Sequence, residues 1–201
     1  MPKLALALWV LYGVCALFVR VAIHRRRTGE SGLVRLTAPP LSLRWFGEVG
    51  ITIAIVTGLA GMALDLTGTL GALDPLDTTG VHATGIALFA LGLIVVVVAQ
   101  SQMADSWRIG TDPDERTALV TGGVFRLVRN PIYTALVPTL LGLALLVPNV
   151  VALASVAIVI AAIELETRLI EEPHLKRVHG EAYDRYASHA GRFVPGIGRL
   201  G

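Results

Sequence analysis

The chain holds a single cysteine, Cys15, which lies inside an apolar run. One thiol forms no internal disulfide and no multi-cysteine zinc or iron–sulfur site. The five histidines are scattered, without HExxH or comparable spacing, so no metal site is expected. Charge is scarce too: 16% of the 201 residues are Asp, Glu, Lys or Arg, against 54% hydrophobic, and the mean hydropathy is +0.67. That balance excludes an ordinary soluble domain and places the chain in a membrane. Each spanning helix uses about 20 apolar residues, so four or five spans take up about half the chain and leave no room for a second domain.

Apolar runs fall at about 4–23, 43–64, 81–101, 131–148 and 149–166, the last two joined at Pro148-Asn149. The expected fold is therefore all-α: a polytopic integral membrane protein of about five transmembrane helices, forming one membrane domain over 1–201. The first run reads as a retained helix rather than a secretory signal, because basic residues (His24-Arg25-Arg26-Arg27) follow it and only Lys3 precedes it. The net charge of +2 is uninformative, but its distribution is not. Sixteen of the 17 Lys and Arg residues fall in Arg20–Arg44, Arg108–Arg129 or Arg168–Arg199, and the connections 65–80 and 147–150 hold none. The positive-inside rule then puts the amino terminus outside and the carboxyl terminus in the cytoplasm, and five crossings agree with both ends. Uncompensated Asp65, Asp74 and Asp77 suit an external loop. His24 to Leu43, with Pro39-Pro40 and two glycines, reads as a cytoplasmic tether. The preponderance of Arg over Lys hints at a GC-rich bacterial genome, hence a bacterial inner membrane.

Polar residues able to do chemistry lie in two cytoplasmic blocks, Ser101–Tyr133 and Glu164–Pro195. Residues 1–100 then read as scaffold helices and 101–201 as the working half. Asn130-Pro131 is a helix-start signal, with Asn as N-cap and Pro at the first helical position. The same geometry leaves free backbone N–H groups and a positive dipole end beside Arg129, suited to a small carboxylate or phosphate. Thr121-Gly122-Gly123 is either a turn or a place where the backbone meets a ligand closely. Trp107-Arg108 has the look of a membrane-interface anchor pair.

Glu164, Glu166, Arg168, Glu171 and Glu172 crowd the cytoplasmic end of the fifth run. Arg168 pairs at helical spacing with Glu164, Glu171 and Glu172. Acidic groups at a bilayer boundary cost free energy unless they are paired or line a wet cavity, so the cluster is either a salt-bridged helix end or a site. Pro173 disfavours helical geometry at Glu172, which predicts a kink and a new helix there. Beyond it, Leu175, Val178, Ala182, Tyr183 and Tyr186 share one face, opposite Lys176, Arg177, Glu181, Asp184 and Arg185. This predicts a cytoplasmic amphipathic helix that lies in the interface or closes over a pocket. Phe193-Val194-Pro195 then returns the tail to the membrane surface.

Read in order, these residues resemble the isoprenylcysteine carboxyl methyltransferase family, itself related to the membrane phospholipid methyltransferases. The likeness is carried by Met103 to Tyr133, the following pair of apolar helices, Arg168 to Glu172 and Gly180-Glu181-Ala182-Tyr183-Asp184-Arg185-Tyr186. Its marks are the Leu119-Val120-Thr121-Gly122-Gly123-Val124-Phe125 stretch, the Arg129-Asn130-Pro131-Ile132-Tyr133 box, the paired glutamates and the tail helix. The box departs from the family in having Asn130 where His is usual, and Ala135 stands where Gly is common. Asn can cap and hydrogen-bond but carries no proton-transfer role.

The resemblance implies S-adenosyl-L-methionine as methyl donor, bound by the last two transmembrane helices and covered by the tail helix. Arg129, Asn130 and Pro131 would hold its methionine carboxylate, Tyr133 would pack on it, Leu119, Val120 and Gly122 would border the adenine, and Glu171 or Glu172 would face its amino group or sulfonium. Arg108 and Arg168 are the expected holders of an anionic acceptor. The implied enzyme is a methyltransferase acting on a lipophilic small-molecule or lipidated substrate among membrane lipids, with no nucleic acid. An isoprenyl-type carboxylate is the first choice of acceptor and a phospholipid or small lipophilic amine or thiol the next. Two rivals stand beside it: an NADPH-dependent membrane reductase of similar architecture, and a non-enzymatic membrane scaffold.

Overall fold

A backbone inside a bilayer has no water to bond, so each apolar run must satisfy its own N–H and C=O groups by forming a helix. The computed structural model describes residues 1–33, 38–110 and 117–200, and among them the chain is nearly all helical, with no β-strand. Helices α1 (Pro2–Gly13) and α2 (Arg20–Thr28) make one span, joined by a π-helical turn at Val14–Val19. Helices α3 (Leu43–Leu66) and α4 (Thr79–Met103) each make another. Helix α5 (Pro131–Leu146) is shorter, reaching about 24 Å at about 1.5 Å per residue. Helix α6 (Val150–Glu166) continues through a second π-helical turn, Thr167–Glu171, into α7 (Glu172–His179), and α8 (Glu181–His189) follows. Among the described residues four helices are long and apolar enough to cross a membrane and α5 is a shorter apolar helix, in the all-α membrane fold with a helical tail that the sequence pattern predicts.

The starts of three helices are set by side-chain caps. Ser42 accepts from Trp45 N–H, Thr78 from Val81 N–H and Asn149 from Ala152 N–H. Asn149 also donates through Nδ2 to the Gly61 carbonyl at 2.9 Å, so the tight α5–α6 junction is tied to α3 as well.

Two antiparallel pairs form the core. α3 packs on α6 and α4 on α5, and both depend on small residues that let backbones approach. A Cβ on Gly61 would lie 2.7 Å from the Ala152 nitrogen, and one on Gly142 would lie 2.4 Å from the Gly85 carbonyl oxygen. Between the pairs lie Phe89, Leu140, Leu143, Leu146, Val156 and Val159, all buried. Phe18, Leu91 and Ile94 remain exposed on the outside, as lipid-facing residues do.

The structure corrects two expectations about the carboxy-terminal third. Pro173 does not break the helix. Glu172 keeps helical angles (φ −60°, ψ −46°), and its N–H bonds the Thr167 carbonyl five residues back. The widened turn realigns the ladder just ahead of a residue that has no N–H and whose ring would crowd a preceding carbonyl. The real break comes at Gly180 (φ +52°, ψ −129°), a conformation that suits glycine, so the predicted single amphipathic helix is two, α7 and α8.

Candidate functional site

The tail does not lie free on the membrane surface. It folds back onto the segment ahead of α5. Arg129 N–H donates to the Gly191 carbonyl at 2.8 Å, Gly191 N–H to Leu127 at 3.1 Å and Asn130 N–H to Arg192 at 3.2 Å. Tyr186 adds a hydroxyl bond to the Phe125 carbonyl at 2.8 Å. At the centre is a charge triad. Glu172 Oε1 accepts from Arg129 at 2.5 Å and from Arg192 Nε at 2.8 Å, and its Oε2 accepts from Arg192 NH2 at 2.8 Å. The terminal guanidinium nitrogens of Arg129 donate further to the carbonyls of Ala187, Ala190 and Gly198, while its buried Nε has no partner among the described residues. Its guanidinium, expected to offer itself to a ligand carboxylate, is thus enclosed by protein partners and works here as a clasp on the tail. Glu172 is the other half of that clasp. The hydrogen bonds that Arg192 donates to Glu172 raise the Arg192 pKa above its ordinary value, while burial pushes the Tyr183 phenol up to about 12.

Glu171, one residue earlier, is placed differently. The Tyr133 hydroxyl, from the first turn of α5, donates to Glu171 Oε1 at 2.7 Å. Arg108 is near enough to act on Glu171 and on buried His174 through its charge. The start of α5 supplies further polarity. Asn130 precedes Pro131 as predicted, but its side chain does not cap the helix; Nδ2 donates to the Arg192 carbonyl at 3.1 Å. The first-turn amides of Ile132 and Tyr133 consequently have no acceptor among the described residues. Unsatisfied N–H groups at a helix start and the Glu171 carboxylate thus meet where α5 joins the widened turn after α6, within electrostatic reach of Arg108.

Arg168 is not brought into this group. Its guanidinium pairs with Glu164 on the exposed side of the helix. Leu119 and Val120 are half-buried in an irregular stretch, and Gly122 is exposed. A Cβ on Gly122 would meet nothing within 4 Å, so no protein neighbour accounts for a glycine there. Gly123 differs: with φ +58° and a would-be Cβ 2.1 Å from Gln102 Oε1, it allows Gln102 to accept from Val124 N–H at 2.8 Å. Residues 111–116 of the Met103–Tyr133 stretch lie outside the described residues. Trp107, expected at the membrane interface, is instead 1% exposed, packed beneath Arg20 and His24. Arg192 and Gln102 had no sequence signal, because neither belongs to a spacing shared with its partner.

A solved structure of the eukaryotic intramembrane Ras methyltransferase, isoprenylcysteine carboxyl methyltransferase, determined without a monobody, is similar to this chain at a TM-score of 0.64 and 19% sequence identity. The likeness covers 92% of this chain and 63% of that one, and it shows a shared membrane fold. No curated protein matches the chain. The sequence pattern of the phospholipid methyltransferase family matches residues 81–182, which take in α4, α5, α6, the Tyr133–Glu171 pair and Glu172. This chain belongs to the phospholipid methyltransferase family.

Proposed function

We propose that the chain transfers a methyl group from S-adenosyl-L-methionine to a lipophilic acceptor, with an isoprenyl-type carboxylate as first choice, at the cytoplasmic face of a bacterial inner membrane. The observation that carries this reading is the Tyr133–Glu171 hydrogen bond, set beside Arg108 and the open first turn of α5. The residues fit the donor. Its carboxylate suits the Ile132 and Tyr133 amides at a positive helix end, its cationic side suits Glu171, and the unfilled space beside Gly122, with Leu119 and Val120, suits an adenine edge.

S-adenosylmethionine, when bound, would supply a sulfonium-activated methyl group whose carbon an acceptor carboxylate oxygen could bond as the carbon–sulfur bond breaks onto sulfur, giving an ester and a neutral thioether. Tyr133 fixes the Glu171 carboxyl so that its charge points one way before reaction. Arg108 would hold the acceptor's carboxylate, and orientation of a bound reactant is worth up to roughly 7–11 kcal/mol in the best intramolecular cases. Arg129, Asn130 and Glu172 act at one remove, holding α8 and the tail over the site so that water is kept out. Arg168, exposed and paired with Glu164, is left to steer anionic acceptors toward the membrane boundary.

The family match favours a second reading in which the acceptor is a phospholipid amine. Calorimetric titration of the purified protein with S-adenosylhomocysteine and separately with NADPH tests the donor. Saturable binding of the first alone is expected, whereas binding of NADPH alone would replace the reading with a membrane reductase.

A further inference from the structure

Arg108 is bracketed on both sides by residues from the first span and the loop after it, none of which falls in the family-matching segment 81–182. On its amino-terminal side the chain leaves α4 through Ala104, a non-glycine residue at φ +47° and ψ −118°. Arg20, 5% exposed in α2, donates through NH2 to the carbonyl of this same Ala104. The Arg20 guanidinium also stands 5.0 Å from the centre of the Trp107 ring, and His24 meets the other part of that ring edge-on at 5.6 Å. On the carboxy-terminal side, Ile109 N–H donates to the Gly32 carbonyl at 2.8 Å, and Leu33 pairs with Ile109 in a short parallel bridge. Gly32 has φ +70°, and a Cβ there would lie 2.9 Å from atoms of both His24 and Trp107.

Strained backbone of the Ala104 kind persists only where surrounding contacts over-determine it. Here those contacts come from α2 and the loop after it, and they end on Ala104, Trp107 and Ile109, the last two of which flank Arg108. A desolvated cation over an indole face is among the stronger side-chain contacts and fixes both partners in orientation. We propose that Arg20 is a positioning residue: through Ala104 and Trp107 it sets the 104–109 turn that holds Arg108 beside Glu171. The role assigned to Arg108 rests on the proposed function, but the bracket does not.

The test reads Arg108 directly. Wild type, Arg20→Gln, Arg20→Lys and Gly32→Ala are exposed in lipid vesicles to phenylglyoxal, and modification of each arginine is followed by peptide mass spectrometry. Arg20→Gln should raise the modification rate of Arg108 about tenfold, the scale of losing one desolvated cation–π contact. The Arg192 rate should stay as in wild type, and Arg20→Lys should restore much of the protection. Gly32→Ala, which disturbs the same bracket from its other side, should also expose Arg108, and it serves alone if Arg20→Gln does not fold. An unchanged Arg108 rate in the folded variants, or equal acceleration at Arg108 and Arg192, overturns the proposal. In parallel, methyl transfer to a farnesyl-chain carboxylic acid should show a raised acceptor KM in Arg20→Gln with unchanged affinity for S-adenosylhomocysteine. Failure of wild type to methylate that acid would count against the acceptor class alone, since the modification rates decide the positioning role without it.

Discussion

Tyr133 and Glu171 join the first turn of α5 to the π-helical turn after α6 through one hydrogen bond of 2.7 Å. The next residue, Glu172, faces a different set of partners, Arg129 and Arg192. Consecutive helical side chains point in different directions, so adjacent glutamates can serve two jobs: Glu171 meets Tyr133, in the site proposed above, and Glu172 locks the tail. Tyr133→Phe keeps the ring and deletes the donor. Methyl transfer should fall by roughly tenfold, the worth of a hydrogen bond to a charged group at about 1.5 kcal/mol, with the melting temperature nearly unchanged in a thermal scan.

Glu172→Gln should behave in the opposite way. Leaving two buried guanidinium groups without their carboxylate costs about 3–5 kcal/mol, and the tail from Ala187 to Leu200 loses its anchor. Limited trypsinolysis should cut after Arg185 or Arg192 well before it does in wild type, alongside a clear drop in thermal stability. A variant that resists trypsin as wild type does would remove the clasp from the account.

Packing between α4 and α5 gives a third expectation. A methyl group at residue 142 points at the Gly85 carbonyl and the Phe89 backbone rather than at a flexible side chain. Gly142→Ala should therefore force the helices apart and destabilise the protein by about 1–3 kcal/mol, whereas Gly71→Ala, in open space, should leave the melting temperature within error.

If α5 crosses together with the four longer spans, the connection after α3 and the carboxy-terminal tail fall on opposite sides of the membrane. Reporter fusions after Gly71 and at the carboxyl terminus should label opposite compartments, the tail on the basic, cytoplasmic side. Both reporters on one side would contradict the topology.

The spans were legible because an uninterrupted apolar run of bilayer length has few ways to fold, and Pro131 marked the start of α5 to the residue. What misled was local chemistry rescued by distant structure. Pro173 is a helix breaker by its own geometry, yet the π-helical turn at Thr167–Glu171 absorbs it. Trp107 looked like an interface anchor because nothing nearby in sequence reveals Arg20 and His24 folding over it. Arg129 stands just ahead of α5 as the sequence places it, but its partners on the tail share no periodicity with it, so its role as a clasp is not legible in the chain. Asn130 kept its place at the helix start while its amide turned to Arg192 instead of capping.

The most direct test of the account is transfer of labelled methyl from S-adenosylmethionine into membrane lipid extract by wild type and by Glu171→Gln. This substitution preserves size and removes the charge that Tyr133 holds in place. Wild type should label a lipophilic product, and Glu171→Gln should stay folded yet turn over about a hundredfold more slowly, the scale of losing one preorganised electrostatic contact. Equal labelling by both folded proteins would contradict the placement of the site at the Tyr133–Glu171 pair.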